Sequence, residues 1–437
     1  MKKKYVRIGM IVLTALLICG AAYGVWNQNR TITLEFGMFV GSNWDVANAN
    51  SYVIIDKAIE QFEAEHPRVK IHYSSGITKE DYSEWLSQQI LLGKTPDVFM
   101  IETSDFNQFS SIGVMKNLDT LMLKDADFQK EDYYTTAFNT GKYMGNQYAL
   151  PYETVPTLMF VNKTLLNKNG FAVPADDWTW DDFYHICQAI TQDKDGDGTL
   201  DQFGAYNYNW RNAVIANGAE LFDANGTEAY FNEEAVVSAV RFAKQIYDTN
   251  QGHKVTQDDF DGGHVAFMPL LFSDYRTYKT YPYKIKKYTT FKWDCITLPA
   301  GPEGANTSEV NTLLMGIGNK TRHEELAWEF LKLLTYDEEI QMDIFQYSQG
   351  ASVLTNVTRS EEAEAIIKED MDEGERVIDN QLLSRVIENG TISPKFQKYD
   401  DVIALAESEV NQIIEDDKNI ESSLKIFQRT IGKYLRK

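Results

Sequence analysis

Polar and apolar positions along this chain change period repeatedly, from two to about 3.6 and back. Thr31-Ile32-Thr33-Leu34-Glu35-Phe36 alternates, as a strand with one buried face must. Ile55, Ala58, Ile59 and Phe62 then share one side of a helix, which His66-Pro67 ends because proline cannot continue it. Val69 to Tyr73 predicts a second strand, and Tyr82, Trp85, Leu86 and Ile90 line a second helix. Asp97-Val98-Phe99-Met100-Ile101 reads as a short buried strand. Farther on, the strand Leu158-Met159-Phe160-Val161 precedes a helical region from Trp178 to Ile190. Trp293 to Leu298 is another strand, and Ala327-Trp328-Glu329-Phe330-Leu331 lies on a helix. The last third is amphipathic helix, with Val402, Ala406, Val410 and Ile413 on one stripe. This alternation predicts an α/β fold on a largely parallel sheet flanked by helices. There is no internal repeat and no Pro/Ser-rich linker.

Residues 1–30 stand apart. Met1-Lys2-Lys3-Lys4-Tyr5-Val6-Arg7 is basic, and an apolar run follows from Ile8 to Trp26, the pattern of a signal peptide or an N-terminal membrane anchor. Cys19-Gly20, after Leu16 and Leu17, suits a lipoprotein cleavage site, but Ile18 stands where a small residue is expected. Ala22-Tyr23-Gly24 suits ordinary cleavage, and a run of roughly 18 or more apolar residues can also span a bilayer uncut. Each alternative places the remainder outside the cytoplasm. It is then secreted or held at the outer face of the cytoplasmic membrane, touching the membrane only through the N-terminus.

The 437 residues suggest two or three domain-sized units, and 43% hydrophobic content supplies proper cores. A formal net charge of −22 disfavours nucleic acid and anionic lipid as partners. Aromatics at 13% leave material for a ligand-stacking cleft beyond the core. Beyond the leader, Cys187 shares an apolar helical face with Phe183, Ile186 and Ile190, so it reads as a small buried hydrophobe. Two cysteines, Cys187 and Cys295, do not establish a disulfide, and free thiols are expected.

The stretch Asp193-Lys194-Asp195-Gly196-Asp197-Gly198-Thr199-Leu200-Asp201 sets carboxylates at alternate positions, with glycines where the backbone turns. A compact loop of this kind aims several oxygens at one point, as Ca2+ requires. Its spacing matches EF-hand loop positions 1, 3, 5, 7 and 9 at Asp193, Asp195, Asp197, Thr199 and Asp201, with Gly198 at 6. Position 12 is Gly204 instead of a bidentate Glu, so a last ligand would come from elsewhere. A solvated acidic turn is the alternative. A bound ion would be structural.

Several segments occur in an order that resembles the family 1 extracellular solute-binding proteins of ABC importers, the maltose-binding-protein-like group. They are Phe62-Glu63-Ala64-Glu65-His66-Pro67, Thr95-Pro96-Asp97-Val98, Tyr148-Ala149-Leu150-Pro151-Tyr152 and Phe160-Val161-Asn162-Lys163. Trp178-Thr179-Trp180-Asp181-Asp182-Phe183, Gly263-His264-Val265-Ala266-Phe267-Met268, Leu298-Pro299-Ala300-Gly301-Pro302 and Ala327 to Leu331 complete the series. The acidic loop also resembles one present in some members. The resemblance implies a two-lobe periplasmic-binding-protein-like α/β fold with a hinged interlobe cleft. The first lobe would comprise 31–152 with 297–337, and the second 153–296 with 338–437. It also implies a monomer that captures a carbohydrate, in particular an oligosaccharide, and delivers it to ABC permease subunits without chemistry of its own. Closure of two lobes on a ligand is a state that a permease can sense.

Ligand contacts are then expected where strand ends and lobe crossings face the cleft. Asn43-Trp44-Asp45 follows the first strand, and Glu102 and Asp105 follow the third. Tyr152-Glu153 lies at the first expected crossing, where the resemblance implies an acidic ligand contact. Tyr208, Trp210 and Arg211 belong to the second lobe, as do Phe272, Tyr275 and Arg276. Aromatic faces suit the C–H surface of a sugar ring, and Asp, Glu, Asn and Arg suit its hydroxyls. Trp44, Trp210 and Glu153 combine position and chemistry best. For any one aromatic, core packing is the alternative; for any one carboxylate, a solvated surface charge.

Two other functions stay open to the residues. Plentiful carboxylates would serve a secreted glycoside hydrolase, although no G-x-S-x-G elbow is present and His323-Glu324-Glu325-Leu326-Ala327 lacks the second zinc-binding His. Gly93-Lys94-Thr95 is half a P-loop with Gln88 in place of the first glycine, which excludes ATP chemistry in this chain. A ligand-sensing ectodomain paired with a membrane sensor would use the same fold.

Overall fold

The computed structural model describes residues 31–46, 48, 50, 52–280, 291–369 and 378–436. The expected leader at residues 1–30 lies outside them. Among the described residues no helix is long and apolar enough to cross a membrane.

The strands run β1 (Ile32–Gly37), β2 (Val69–Tyr73), β3 (Val98–Ile101), the short hairpin β4 (Lys142–Tyr143) and β5 (Asn146–Gln147), β6 (Ala149–Asn162), β7 (Phe203–Ala205), β8 (Val265–Leu271), β9 (Trp293–Ile296), β10 (Val310–Ile317) and β11 (Ala351–Ser352). Helices alternate with them, and the expected Val53–Glu65, Lys79–Leu91, Trp180–Ile190 and Glu324–Tyr336 are all present. Sequence details fix their ends. Thr179 caps the Trp180–Ile190 helix through a reciprocal bond with Asp182, which satisfies two amides that have no partner inside the helix.

One strand organises the molecule. Thirteen of the 14 residues of β6 are buried, which accounts for a near-continuous apolar run without strand-like alternation. Its first part pairs with β10 as far as Pro156↔Val310, and from Thr157 onward it pairs with β8 and β9. Proline has no N–H to continue a ladder, so the change of partner falls where the backbone can spare a donor. The first sheet thus runs β2-β1-β3-β10-β6 and the second joins β6, β8, β7 and β9. β1, β2 and β3 are parallel, whereas β10, β6 and β8 are mutually antiparallel neighbours, so the sheet is mixed and not largely parallel. The cause is connectivity: β6 carries the chain out of the first lobe, and the segment between β9 and β10 carries it back.

The C-terminal third divides differently from the expectation. Helix Glu338–Tyr347 packs on Val53–Glu65 and is tied to it by Lys57, which meets Asp343 at 2.6 Å and Glu339 at 2.8 Å. Helix Asn380–Glu388 packs on β6, burying Leu382, Leu383, Val386 and Ile387 in the first core. The described residues between 338 and 388 therefore lie with the first lobe. Only Tyr399–Glu415 and Ile420–Leu435 join the second, against Glu234–Asp248. An apolar stripe in the sequence shows that a helix is buried, but not against which core. Cys187 and Cys295 are both buried and are not joined to each other by a disulfide.

Candidate ligand-binding site

Glu153 lies on β6 three residues before the strand changes lobe, and it is 4% exposed. One carboxylate oxygen accepts from Ser348 Oγ at 2.7 Å and from the Gly350 amide at 2.6 Å. Burial pushes its pKa up; the bonds from Ser348 and Gly350, the Trp44 indole and the charge of Arg276 hold it back. Gly350 makes the close approach possible, since a Cβ there would stand 2.3 Å from the Glu153 oxygen. Trp44 is 7% exposed, and its Nε1 is buried without a normal hydrogen bond among the described residues, although it favours the charged form of Glu153. Arg276 also donates to the Phe345 carbonyl at 2.5 Å. The expected residues Trp44, Glu153 and Arg276, from three distant segments, are thus brought together. Tyr152 beside them is buried, and its Gln341-bonded carbonyl fixes the strand.

A second group forms at the carboxyl end of β3. Glu102 precedes the helix Thr103–Ser111, and Asp105 lies in its first turn. Asp105 accepts from Ser83 at 2.9 Å, while its other oxygen and Glu102 Oε1 are buried with no hydrogen-bond donor among the described residues. Burial raises both carboxyls, and the charge of Asp105 raises Glu102 further. Lys79 holds the neighbouring loop by donating to the Asn43 carbonyl and to Asp45 Oδ1, both at 2.7 Å. Asp45, in the left-handed region at φ 57°, thereby turns the loop that delivers Trp44.

The second lobe sorts its expected residues differently. Trp210 is fully buried, with its indole N–H donating to Glu407 at 3.0 Å. Arg211 grips Glu309 through two contacts of 2.7 and 2.9 Å. Tyr208 is 8% exposed, and its ring packs edge-on against Phe183 at 4.9 Å. Phe272 and Tyr275 stack on each other in the core. Hydrophobicity alone could not separate these aromatics from cleft aromatics.

Sequence reasoning reached only part of the surface that lies here. A cavity of about 570 Å³ opens at the ends of β7 and β8, lined by Thr157, Tyr206, Asn207, Leu271, Lys254 and Asn311. Of the expected residues, Tyr208 and Trp210 also belong to its lining. Asn207 at φ 59° turns the chain there, and an Asn between two tyrosines was the available signal. The cavity reaches both β6 and the approach to β10, the two lobe crossings.

The acidic loop gathers one oxygen each from Asp193, Asp195 and Asp197 within 4.8 Å of one another. Asp193 is shaped by amides: Gly196 and Gly198 donate to its two oxygens at 2.7 and 2.8 Å, holding its carboxyl below the usual range. The Thr199 amide donates to Asp197. Asp201 is not in the trio; it accepts from the amides of Lys194 and Asp195 and braces the loop.

The comparisons agree with this architecture. The fold matches a substrate-binding protein of Listeria monocytogenes solved with cycloalternan (TM-score 0.69, 19% identity, 93% of this chain and 99% of that one). It also matches the sugar-binding protein MalE of Xanthomonas citri (TM-score 0.76, 14% identity, 92% and 97%). A third match is the cyclic alpha-maltosyl-1,6-maltose binding protein of Arthrobacter globiformis (TM-score 0.74, 15% identity, 93% and 99%). A candidate binding protein of Brucella abortus is 23% identical over 285 residues, covering 62% of this chain and 66% of the relative's own length. Residues 39–340 match the family described as bacterial extracellular solute-binding protein, and the chain belongs to that family.

Proposed function

We propose that this protein captures a carbohydrate in the cleft between its lobes and delivers it to an ABC permease at the outer face of the cytoplasmic membrane. The observation that carries the reading is Glu153, a buried carboxylate on the strand shared by both lobes, with Trp44 against it. An acceptor at that place senses ligand and lobe geometry together, which is what coupling of binding to closure requires. Sugars named for the similar structures, cycloalternan and maltosyl-maltose, support the ligand class. The protein acts by binding and release, leaving the sugar intact.

A thermal-shift screen against maltose, maltotriose, cycloalternan and tagatose tests this, because a ligand that binds the native state raises its stability by mass action. At least one should raise the melting temperature and be recovered intact by mass spectrometry. No shift with any of them would overturn carbohydrate capture, and cleaved product would move the protein to the enzymes.

The loop from Asp193 to Asp197 fits a structural Ca2+, since it presents three hard oxygens within reach of one ion. Thr199 and Asp201 shape the loop in this reading.

A further inference from the structure

Lys395 stands between Glu388 and Tyr399, where the chain crosses from the first lobe to the second for the last time. Its neighbours Phe396 and Tyr399 belong to the second core. Its ammonium nevertheless lies 5.7 Å from the ring centroid of Phe106, a fully buried residue of the first. The side chain therefore spans the lobe junction.

Lys395 is half-buried, and its ammonium has no hydrogen-bond partner among the described residues, so it is open to water or a ligand. Burial pushes its pKa down to about 8, against the charges of Asp400 and Glu309. Glu309 is already engaged by Arg211 and by Ser393 at 2.6 Å. Asp400 is pushed up by burial and feels Asp105 across the junction. Tyr399 completes the titratable surroundings, raised by burial and restrained by Arg211. A ring face returns part of what an ammonium loses with its water, but three N–H donors still need acceptors. On the first lobe, Asp105 next to Phe106 and Glu102 before it hold acceptors, Asp105 Oδ2 and Glu102 Oε1, that lack donors among the described residues.

Unused donors on one lobe and unused acceptors on the other call for one chemistry. A hydroxyl accepts from an ammonium and donates to a carboxylate, so a polyol satisfies both walls at once. An acidic sugar would suit the ammonium but be repelled by the carboxylates. We propose that Lys395 is a ligand-contacting residue that reads the hydroxyls of a neutral sugar jointly with Glu102 and Asp105 as the lobes meet. The proposal rests on the carbohydrate reading above.

The test is calorimetric titration of the parent protein, Lys395→Met and Lys395→Arg with maltotriose, cycloalternan, tagatose and galacturonic acid, at pH 6.5 and 9. For a neutral sugar that binds the parent, Lys395→Met should weaken affinity about tenfold or more, and Lys395→Arg should restore most of it. Parent affinity should fall as pH rises through about 8, where the ammonium loses its proton, and both variants should lack that fall. Galacturonic acid should bind the parent more weakly than the neutral sugar. Equal affinity in a folded Lys395→Met protein would overturn the inference while leaving sugar capture intact. If the parent binds none of the sugars, the capture reading fails and this inference falls with it.

Discussion

Replacing Glu153 by glutamine should separate binding from stability, and the structure says in which direction each moves. The carboxylate is 4% exposed and takes both of its recorded bonds on one oxygen, from Ser348 and Gly350. A glutamine oxygen can accept the same two bonds, so the local fold survives. What disappears is the negative charge that Arg276 and Trp44 favour. If ligand hydroxyls donate to this group, losing a charge-assisted hydrogen bond costs about 1.5–3 kcal/mol, or roughly a 10- to 150-fold rise in Kd. Stability moves the other way. Glu153 has a folded pKa raised above its unfolded value, by burial first. The native state then holds the proton more tightly, so this group's contribution is full below the unfolded pKa and is lost as pH rises through the folded one. At neutral pH the buried charge is a liability, and Glu153→Gln should melt at or above the parent's temperature. Glu153→Ala should instead orphan the Gly350 amide and the Ser348 hydroxyl, costing about 1–3 kcal/mol for each buried group. Melting curves at pH 5 and 8 with parallel titration of a bound sugar check both halves. A Glu153→Gln protein that binds as the parent does, or melts well below it at neutral pH, would refute the reasoning.

Gly350→Ala should abolish sugar binding and lower the melting temperature, because its Cβ would fall 2.3 Å from a Glu153 oxygen and 2.4 Å from its Cγ; calorimetry on the folded fraction reads the outcome. Trp210→Ala should act through stability and not through the cleft, costing about 3–5 kcal/mol for a fully buried indole; denaturant melts measure it, and loss of affinity at unchanged stability would contradict the burial. Chelation by EDTA should lower the melting temperature and added Ca2+ restore it, with Asp195→Asn/Asp197→Asn insensitive to both. An unchanged melt in a protein shown to contain no metal before and after would remove the ion from the account.

The architecture was legible because it is written in local periodicity. The helices at Val53–Glu65 and Lys79–Leu91 and the strand Val69–Tyr73 follow from apolar spacing and from Pro67. The position of Glu153 near a crossing was legible only through resemblance, and the crossing itself falls at Pro156–Thr157. Partner assignment was not legible. Helix Asn380–Glu388 and helix Tyr399–Glu415 carry similar apolar stripes, yet one belongs to each core. Nothing local distinguishes them, because the difference is made by the ten-residue stretch of chain that crosses between them, residues 389–398.

The same limit bears on how the aromatics near β7 divide between packing and cavity. Trp210 and Tyr206 lie four residues apart at the end of β7, and either ring would suit a sugar. Trp210 opens a helix capped by Asn209, whose reciprocal bond with Asn212 fixes the first turn and so the direction of the indole, toward Glu407. Tyr206 precedes the left-handed Asn207 and borders the cavity. The capping pair Asn209–Asn212 is visible in sequence, and a first-turn residue of a capped amphipathic helix points with its apolar stripe into the core. The motif thus assigns the Trp210 indole to packing and leaves the residues before the cap, Tyr206 and Asn207, at the cavity.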